Sequence, residues 1–168
     1  MPTASTAVSI RTATTPADVE LARALLVEYA DWLNVDLCFQ GFAEELRTLP
    51  GAYAAPRGRL LLAGRDGAAF ACIALRPLAE PTVGEVKRLY VQPDRRGEGW
   101  GRRLVGALLA DARNIGYDEL KLDTLAWMKA ARALYEHAGF RSCGPYYANP
   151  LPGVVYMSLR LRDANERD

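Results

Sequence analysis

Three glycines at alternate positions, Gly97, Gly99 and Gly101, stand between two apolar segments of different periodicity. Residues 86–91 before them are rich in β-forming side chains and predict a strand. From Leu104 onward, apolar residues recur at spacings of one, three and four, which predicts a helix. A strand, a glycine-rich turn and a helix N-terminus expose unpaired backbone N–H groups at the positive end of a helix dipole. The sequence therefore predicts an anion-binding loop, and phosphate is a ligand that suits it.

The charge around this loop is positive. Four arginines flank the glycines: Arg95, Arg96, Arg102 and Arg103. A phosphate-rich ligand would explain their placement, and a solvated surface patch is the alternative.

Spacing distinguishes three known phosphate-binding patterns. A P-loop needs lysine and a hydroxyl residue directly after its last glycine, but Arg102 and Arg103 follow Gly101. A dinucleotide-binding fingerprint would need its third glycine at position 102. The pattern Gln/Arg-x-x-Gly-x-Gly/Ala is met at each fixed position by Arg96, Gly99 and Gly101. The segment therefore resembles the acyl-CoA pyrophosphate loop of the GNAT superfamily of N-acyltransferases, and a tight turn without a ligand is the alternative.

A second motif and the order of elements extend this resemblance. Residues 134–140, Leu-Tyr-Glu-His-Ala-Gly-Phe, are similar to the family's Leu-Tyr-Glu-x-x-Gly-Phe. From Val8 to Leu161 the predicted order is β-α-α-β-β-β-α-β-α-β-β, which resembles the GNAT fold over nearly the whole chain. The expected class is α+β, with a central mixed, mostly antiparallel sheet of about seven strands and helices on both faces.

Local signals give the element boundaries. Thr15, Pro16 and Asp18 form the start of a helix that ends near Asn34. Asp66-Gly67 predicts a hairpin turn between two apolar strands. Strands are predicted over 8–12, 59–64, 68–76, 84–91, 120–124, 140–143 and 154–161. Helices are predicted over 16–34, 42–49, from the glycines to Gly116, and over 127–138.

Length and composition restrict the class of protein. A chain of 168 residues predicts one domain, here with a polar tail over 162–168. A net charge of +1 gives no reason to expect binding to nucleic acid or to an anionic membrane surface. No apolar run is long enough for a membrane span, and residues 1–9 lack a signal-peptide pattern. Three separated cysteines and a single histidine predict reduced thiols, a cytoplasmic location and no metal site.

The resemblance implies acetyl-CoA as co-substrate. In the family, backbone N–H groups of the loop hold the pyrophosphate, the freed strand end pairs with the pantetheine arm, and the N–H at Val91 is the oxyanion donor. The cofactor-binding residues implied in this way are Leu89, Tyr90, Val91, Arg96, Gly97, Glu98, Gly99, Trp100, Gly101 and Arg102. Met128 stands where many members carry an asparagine, which puts one polar contact with the cofactor in doubt.

Two catalytic roles are also implied. Tyr135 is placed as the acid that protonates the leaving sulfur, and packing in the core is its alternative role. Glu85 lies eleven positions before Arg96, which is the spacing of the catalytic glutamate in the histone-acetylating branch of the superfamily. Its alternative role is an ion pair with Lys87, and many members use ordered water as the base.

The amine acceptor is predicted to bind between the loop of residues 36–58 and the segment before the last strand. The candidate substrate-binding residues are aromatic: Trp32, Phe39, Tyr146 and Tyr147. They suggest a small, partly apolar acceptor. Arg47 or Arg57 could hold a carboxylate, and ordinary surface charge is the favoured alternative for both.

The expected function is N-acetylation of a primary amine, on a small molecule or at a terminus, by direct attack in a ternary complex. A non-catalytic acyl-CoA-binding module and a protein or peptide N-acetyltransferase are the alternatives. Homodimers are common in the family, and no residue here decides the oligomeric state.

Overall fold

The computed structural model describes residues 6–162, apart from the side chain of Phe39. The predicted tail, beyond Arg162, lies outside the described residues. The strands are β1 (Ser9–Thr12), β2 (Arg59–Gly64), β3 (Ala71–Pro77), β4 (Val83–Val91), β5 (Glu119–Leu125), β6 (Arg141–Cys143) and β7 (Val154–Arg160). The α-helices are α1 (Pro16–Leu33), α2 (Phe42–Thr48), α3 (Trp100–Ile115) and α4 (Lys129–Ala138). The predicted element order and the α+β class are confirmed.

Within residues 6–162, one mixed sheet of seven strands has the order β1-β2-β3-β4-β5-β7-β6. Strands β1 to β4 form an antiparallel meander, and β5, β7 and β6 form a second antiparallel set. The two sets join through a short parallel pairing between β4 and β5. Because a parallel pair needs a crossover connection, α3 runs between these two strands.

Helices cover both faces of the sheet, because successive side chains of β2 are buried in clusters on opposite faces. Leu61 is buried in the cluster that contains Leu104 and Leu108 of α3. Leu62, its neighbour, is buried in the cluster that contains Leu25 of α1. Each helix therefore buries one apolar face against the sheet, and the strand ends between the helices are left to form the site.

The start of α1 follows its sequence signals. The Thr15 hydroxyl accepts a hydrogen bond of 3.1 Å from the Asp18 N–H, and Pro16 occupies the first helical position. Asp18 also accepts from Arg11 of β1 at 3.0 Å, which ties the helix to the sheet edge. At the other end, Asn34 adopts the left-handed conformation that ends a helix.

Two predicted boundaries are wrong. Strand β3 begins at Ala71 rather than at residue 68, because the turn continues past Gly67. Within this turn the Phe70 ring packs edge-on against the Trp100 ring, with ring centres 5.1 Å apart. Helix α4 begins at Lys129 rather than at Trp127. Trp127 is 52% exposed and instead lies against Trp32 of α1, with ring centres 5.5 Å apart. None of the helices in the described part of the chain is long and apolar enough to cross a membrane.

Candidate active site

Strand β4 contains a bulge shortly before its end. Its register with β3 shifts between Cys72 and Ala74, and Arg88 has a φ of +63°, which is rare for a residue with a side chain. The Arg88 side chain is only 3% exposed and donates two hydrogen bonds of 2.9 Å to Glu45 of α2. The bulge and this ion pair hold the strand end, residues 89–91, in a fixed direction.

Strands β4 and β5 pair only over residues 83–85 and 119–121, and then separate. The end of β4 therefore has one open edge facing the fork between the two strands. The Gln92 N–H points toward β3 and donates to the Phe70 carbonyl at 2.9 Å. Because the N–H groups of successive residues in a strand point to opposite sides, the Val91 N–H points away from β3 and toward the fork. The carbonyl of Val91 accepts from Arg96 Nε at 2.9 Å.

We call the depression beside the glycine turn the loop groove; it has a volume of about 460 Å³. Nine of the ten predicted cofactor-binding residues line it: Leu89, Tyr90, Val91, Arg96, Gly97, Gly99, Trp100, Gly101 and Arg102. Glu98, the tenth, does not line it and accepts a hydrogen bond of 3.0 Å from Trp100 Nε1. Trp32, predicted to contact the acceptor, lies in this groove, where the Arg96 guanidinium is 4.7 Å from its ring centre.

The backbone of the loop is arranged to receive an anion. The N–H groups of residues 97–102 donate to no acceptor among the described residues, and the first bond of α3 runs from Arg103 N–H to the Gly99 carbonyl at 3.1 Å. Gly97 and Gly99 have φ values of +82° and +86°, and a Cβ at either would point into open space. These residues fit the pyrophosphate that the family resemblance implies.

Gly101 has a different role from the other two glycines. A Cβ at this position would lie 2.8 Å from Leu134 Cδ1 of α4. The third glycine therefore allows α3 and α4 to pack closely, which brings the second sequence motif next to the loop.

Most of the arginine cluster rests on aromatic rings. The guanidinium of Arg95 lies 4.2 Å from the ring centre of Phe70, and that of Arg103 lies 4.1 Å from Trp100. These contacts with aromatic rings hold the positive charges of the arginines near the loop.

A central cavity of about 50 Å³ lies in the fork. Residues from both strands, α1 and α4 line it, among them Tyr29, Lys87, Leu89, Asp123, Met128 and Tyr135. Tyr135 is 7% exposed, and its ring packs edge-on against Phe140. Its hydroxyl makes no hydrogen bond to any described residue. Burial raises the pKa of Tyr135 above its ordinary value, and nearby Tyr29 and Asp123 raise it further, so this hydroxyl remains protonated at neutral pH.

On the other side of the fork is a polar cavity of about 450 Å³. Its polar lining includes Gln40, Arg76, Glu85, Lys87, Lys121, Tyr146 and Tyr147. Two of the predicted acceptor-binding residues, Tyr146 and Tyr147, are thus here. The side chain of Phe39, the fourth candidate, lies outside the described residues.

Neither arginine proposed to hold a carboxylate lines the polar cavity. Arg47 donates to Glu44 on α2 at 3.0 Å, and the guanidinium of Arg57 lies 4.3 Å from the ring centre of Tyr117.

Glu85 is 1% exposed, and both of its carboxylate oxygens have partners. Oε1 accepts from Arg76 Nε at 2.8 Å and lies 3.8 Å from Lys87 Nζ, while Oε2 accepts from the Tyr146 hydroxyl. The ion pair with Lys87 that the spacing suggested is therefore present. Arg76 is the closer partner and could not be identified without the register of β3 against β4.

A second cluster of hydrogen-bonded polar side chains lies at the fork, and the sequence did not predict it. Asp123 Oδ2 accepts from the Tyr147 hydroxyl and, at 2.7 Å, from Asn149 Nδ2. Gln40 Nε2 donates to the same tyrosine hydroxyl at 3.0 Å. This cluster joins β5 to the segments before β7 and α2. Asp123 alternates with apolar residues along β5, and this pattern predicts a strand but no partner for the carboxylate.

The three spaces lie next to one another along the fork and share wall residues. Leu89 and Met128 line both the loop groove and the central cavity, and Gln40 and Lys87 line both the central and the polar cavity. An anionic ligand in the groove and a polar ligand on the opposite side could therefore meet beside Tyr135.

The sequence and fold match known proteins. The family model described as "Acetyltransferase (GNAT) family" matches residues 26–140. An uncharacterized N-acetyltransferase of Schizosaccharomyces pombe is 37% identical over 155 residues, covering 92% of this chain and 95% of that protein. A GNAT-family acetyltransferase of Staphylococcus aureus has a TM-score of 0.76 at 17% identity and covers 93% of this chain and 100% of its own. The Salmonella typhimurium protein yncA, solved with its cofactor acetyl-CoA, has a TM-score of 0.67 at 19% identity, with 96% and 98% covered.

Proposed function

This chain belongs to the GNAT family of acetyltransferases, and we propose that it transfers the acetyl group of acetyl-CoA to a primary amine of a small molecule or to a terminal amine. The observation that supports this proposal is the fork between β4 and β5, where the central cavity lined by Tyr135 shares wall residues with the loop groove and with the polar cavity. Because both ligands can reach the fork at once, direct attack in a ternary complex is the favoured mechanism.

The donor would be held by the loop groove. Backbone N–H groups of residues 97–102 would bind the pyrophosphate, and Arg102 adds positive charge at the helix start. The open edge of residues 89–91 would pair with the pantetheine arm, with the Val91 N–H directed into the fork. When bound, acetyl-CoA supplies an acetyl group activated as a thioester, as the yncA complex supports by similarity of fold.

Transfer from sulfur to nitrogen removes one proton from the amine and adds one to the sulfur. Tyr135 is proposed as the donor at the sulfur, because its hydroxyl lines the central cavity and has no other partner among the described residues. Burial raises the pKa of Tyr135, so the hydroxyl stays neutral and can donate a hydrogen bond to the sulfur, although the raised pKa also makes it a weaker acid.

Glu85 is proposed as the base that receives the amine proton. Its carboxylate lies in the wall of the polar cavity, and the hydroxyl of Tyr146 is the uncharged partner that an incoming amine would displace. If ordered water is the base instead, Glu85 only positions Arg76 and Lys87.

A Glu85→Gln variant separates these two roles. Loss of a base predicts a fall of about 10²-fold or more in kcat near neutral pH, with activity recovered as the pH approaches the amine's own pKa. A positioning role predicts a loss that is equal at all pH values.

The transferase proposal is tested by incubating the protein with acetyl-CoA and a panel of amines, including neutral amines, polyamines, amino acids and peptides. Thiol release reports turnover, and mass spectrometry identifies the product. We expect at least one N-acetylated product, lost in Tyr135→Phe. Binding of acetyl-CoA without any product would instead support a non-catalytic acyl-CoA-binding module.

A further inference from the structure

We propose that the acceptor amine carries a carboxylate, bound in the polar cavity by Lys121 and Lys87. The substrate class is then a small amphoteric amine such as an amino acid. This inference rests on the proposed acetyl transfer and specifies which amine the same site would take.

Three of the charged side chains that line the polar cavity lie in one row across the sheet. Arg76 of β3 lies opposite Glu85 of β4, and Glu85 lies opposite Lys121 of β5. Residues directly opposite on neighbouring strands project from the same face, so all three side chains face the cavity. Lys87 follows two positions after Glu85 on the same strand and therefore shares this face.

The positively charged side chains that line the polar cavity outnumber the carboxylates that line it. Three cationic side chains line the cavity against two carboxylates, those of Glu80 and Glu85. One oxygen of Glu85 is shared between Arg76 and Lys87. Lys121 has no ion pair within 4 Å among the described residues, and its Nζ lies 5.8 Å from the ring centre of Tyr146.

The position of Lys87 strengthens the case for an anionic ligand. Its side chain is only 5% exposed, and the nearest carboxylate oxygen is 3.8 Å away, longer than a hydrogen bond. A buried ammonium needs hydrogen-bonding partners, and a ligand carboxylate would supply them. Burial lowers the pKa of Lys87, which is the expected response of an ammonium whose charge is incompletely compensated.

The same geometry orients the acceptor. Lys87 lines both the polar and the central cavity, whereas Lys121 lines only the polar cavity. A carboxylate held between these two ammonium groups would leave the amine directed toward Tyr135. Positive charge at this position also disfavours a polyamine, because a second ammonium would meet two lysines.

The test uses matched substrates that differ only in the carboxylate, namely L-amino acids and their α-carboxamides. Turnover with acetyl-CoA is measured for each pair on the wild-type protein. The amides have the less basic amine, so intrinsic reactivity at neutral pH favours them. We expect the acids to be preferred by about tenfold or more in kcat/KM, as a charge-assisted contact predicts. Equal or better use of the amides, or of polyamines, would overturn the inference.

Lysine variants locate the contact. The chain has three lysines, and the third, Lys129, lies exposed at the start of α4 outside the polar cavity. Lys121→Met should raise KM for the acids about tenfold and leave the amides unchanged, while Lys129→Met should change neither. An unchanged acid preference in Lys121→Met would refute the assigned contact.

Product binding gives a readout that does not depend on turnover. Calorimetric titration with N-acetylglycine and N-acetylglycinamide, in the presence of CoA, should show binding of the acid only, weakened in Lys121→Met. If no amine in any panel is acetylated, the proposed function fails, and this titration still decides the charge preference of the cavity. Binding of neither compound, or of the amide equally, would overturn the inference.

Discussion

Replacing Tyr135 by Phe should remove activity without loss of stability. Tyr135 is 7% exposed and lines the central cavity, and its hydroxyl makes no hydrogen bond to a described residue, so the substitution breaks no hydrogen bond in the described part of the fold. Since no hydrogen bond within the fold is lost, the free energy of unfolding should stay about the same. Loss of a positioned proton donor should lower kcat by about 10²- to 10⁴-fold.

The assay pairs two measurements on the same preparation. Urea denaturation gives the free energy of unfolding, and thiol release at saturating acetyl-CoA gives kcat with an accepted amine. The predicted pattern is a large fall in kcat with an unchanged dissociation constant for acetyl-CoA. Unchanged kcat would refute the assigned role, and a clear loss of stability would show that the hydroxyl has a structural partner.

Tyr117 provides a matched control. It is also fully buried, but its hydroxyl donates a hydrogen bond of 2.7 Å to the Arg57 carbonyl, away from the fork. Tyr117→Phe should therefore lower the free energy of unfolding by about 1 kcal/mol and leave kcat unchanged. The two variants should thus show opposite patterns.

Three further predictions follow from packing and burial. Arg88→Met leaves Glu45 without its buried partner and should lower the free energy of unfolding by about 3 kcal/mol in urea denaturation. Gly101→Val should displace the end of the half-buried Leu134 side chain and cost about 1 kcal/mol, the low end for overpacking, and the cost should be smaller in a Leu134→Ala background. Burial raises the pKa of the Cys72 thiol from 9.0 to about 12, so the folded state holds this proton more tightly than the unfolded chain. The resulting stabilisation is complete below pH 9 and is lost as the pH rises from 9 to 12, and Cys72→Ala should reduce this pH slope.

The features of the fold and of the candidate site that depend on local sequence could be predicted. The cap at Thr15 and the alternating apolar residues of the strands act within a few positions, so element order and fold class follow from them. The glycine loop is also local, and its predicted residues line one groove with the exception of Glu98.

The parts that depend on strand register could not be predicted. Arg76, Glu85 and Lys121 are far apart in sequence and meet only because three strands pair at these positions. The ion pair between Arg88 and Glu45 likewise depends on a bulge that no local pattern marks. For the same reason the sequence suggested Arg47 or Arg57 for a ligand carboxylate. It gave Lys87 only as a partner of Glu85 and did not indicate that Lys87 and Lys121 line one cavity.

The most direct test of the central claim is calorimetric titration of the protein with acetyl-CoA, CoA, ATP and NAD. Gly99→Glu places bulk and negative charge where the loop is expected to hold pyrophosphate. Gly67→Glu is its matched control, because Gly67 also has a positive φ and open space around its Cβ position but lies in the turn before β3. We predict micromolar binding of acetyl-CoA and CoA only, abolished in Gly99→Glu and retained in Gly67→Glu. Absence of acetyl-CoA binding to the wild-type protein, or its persistence in Gly99→Glu, would contradict the account.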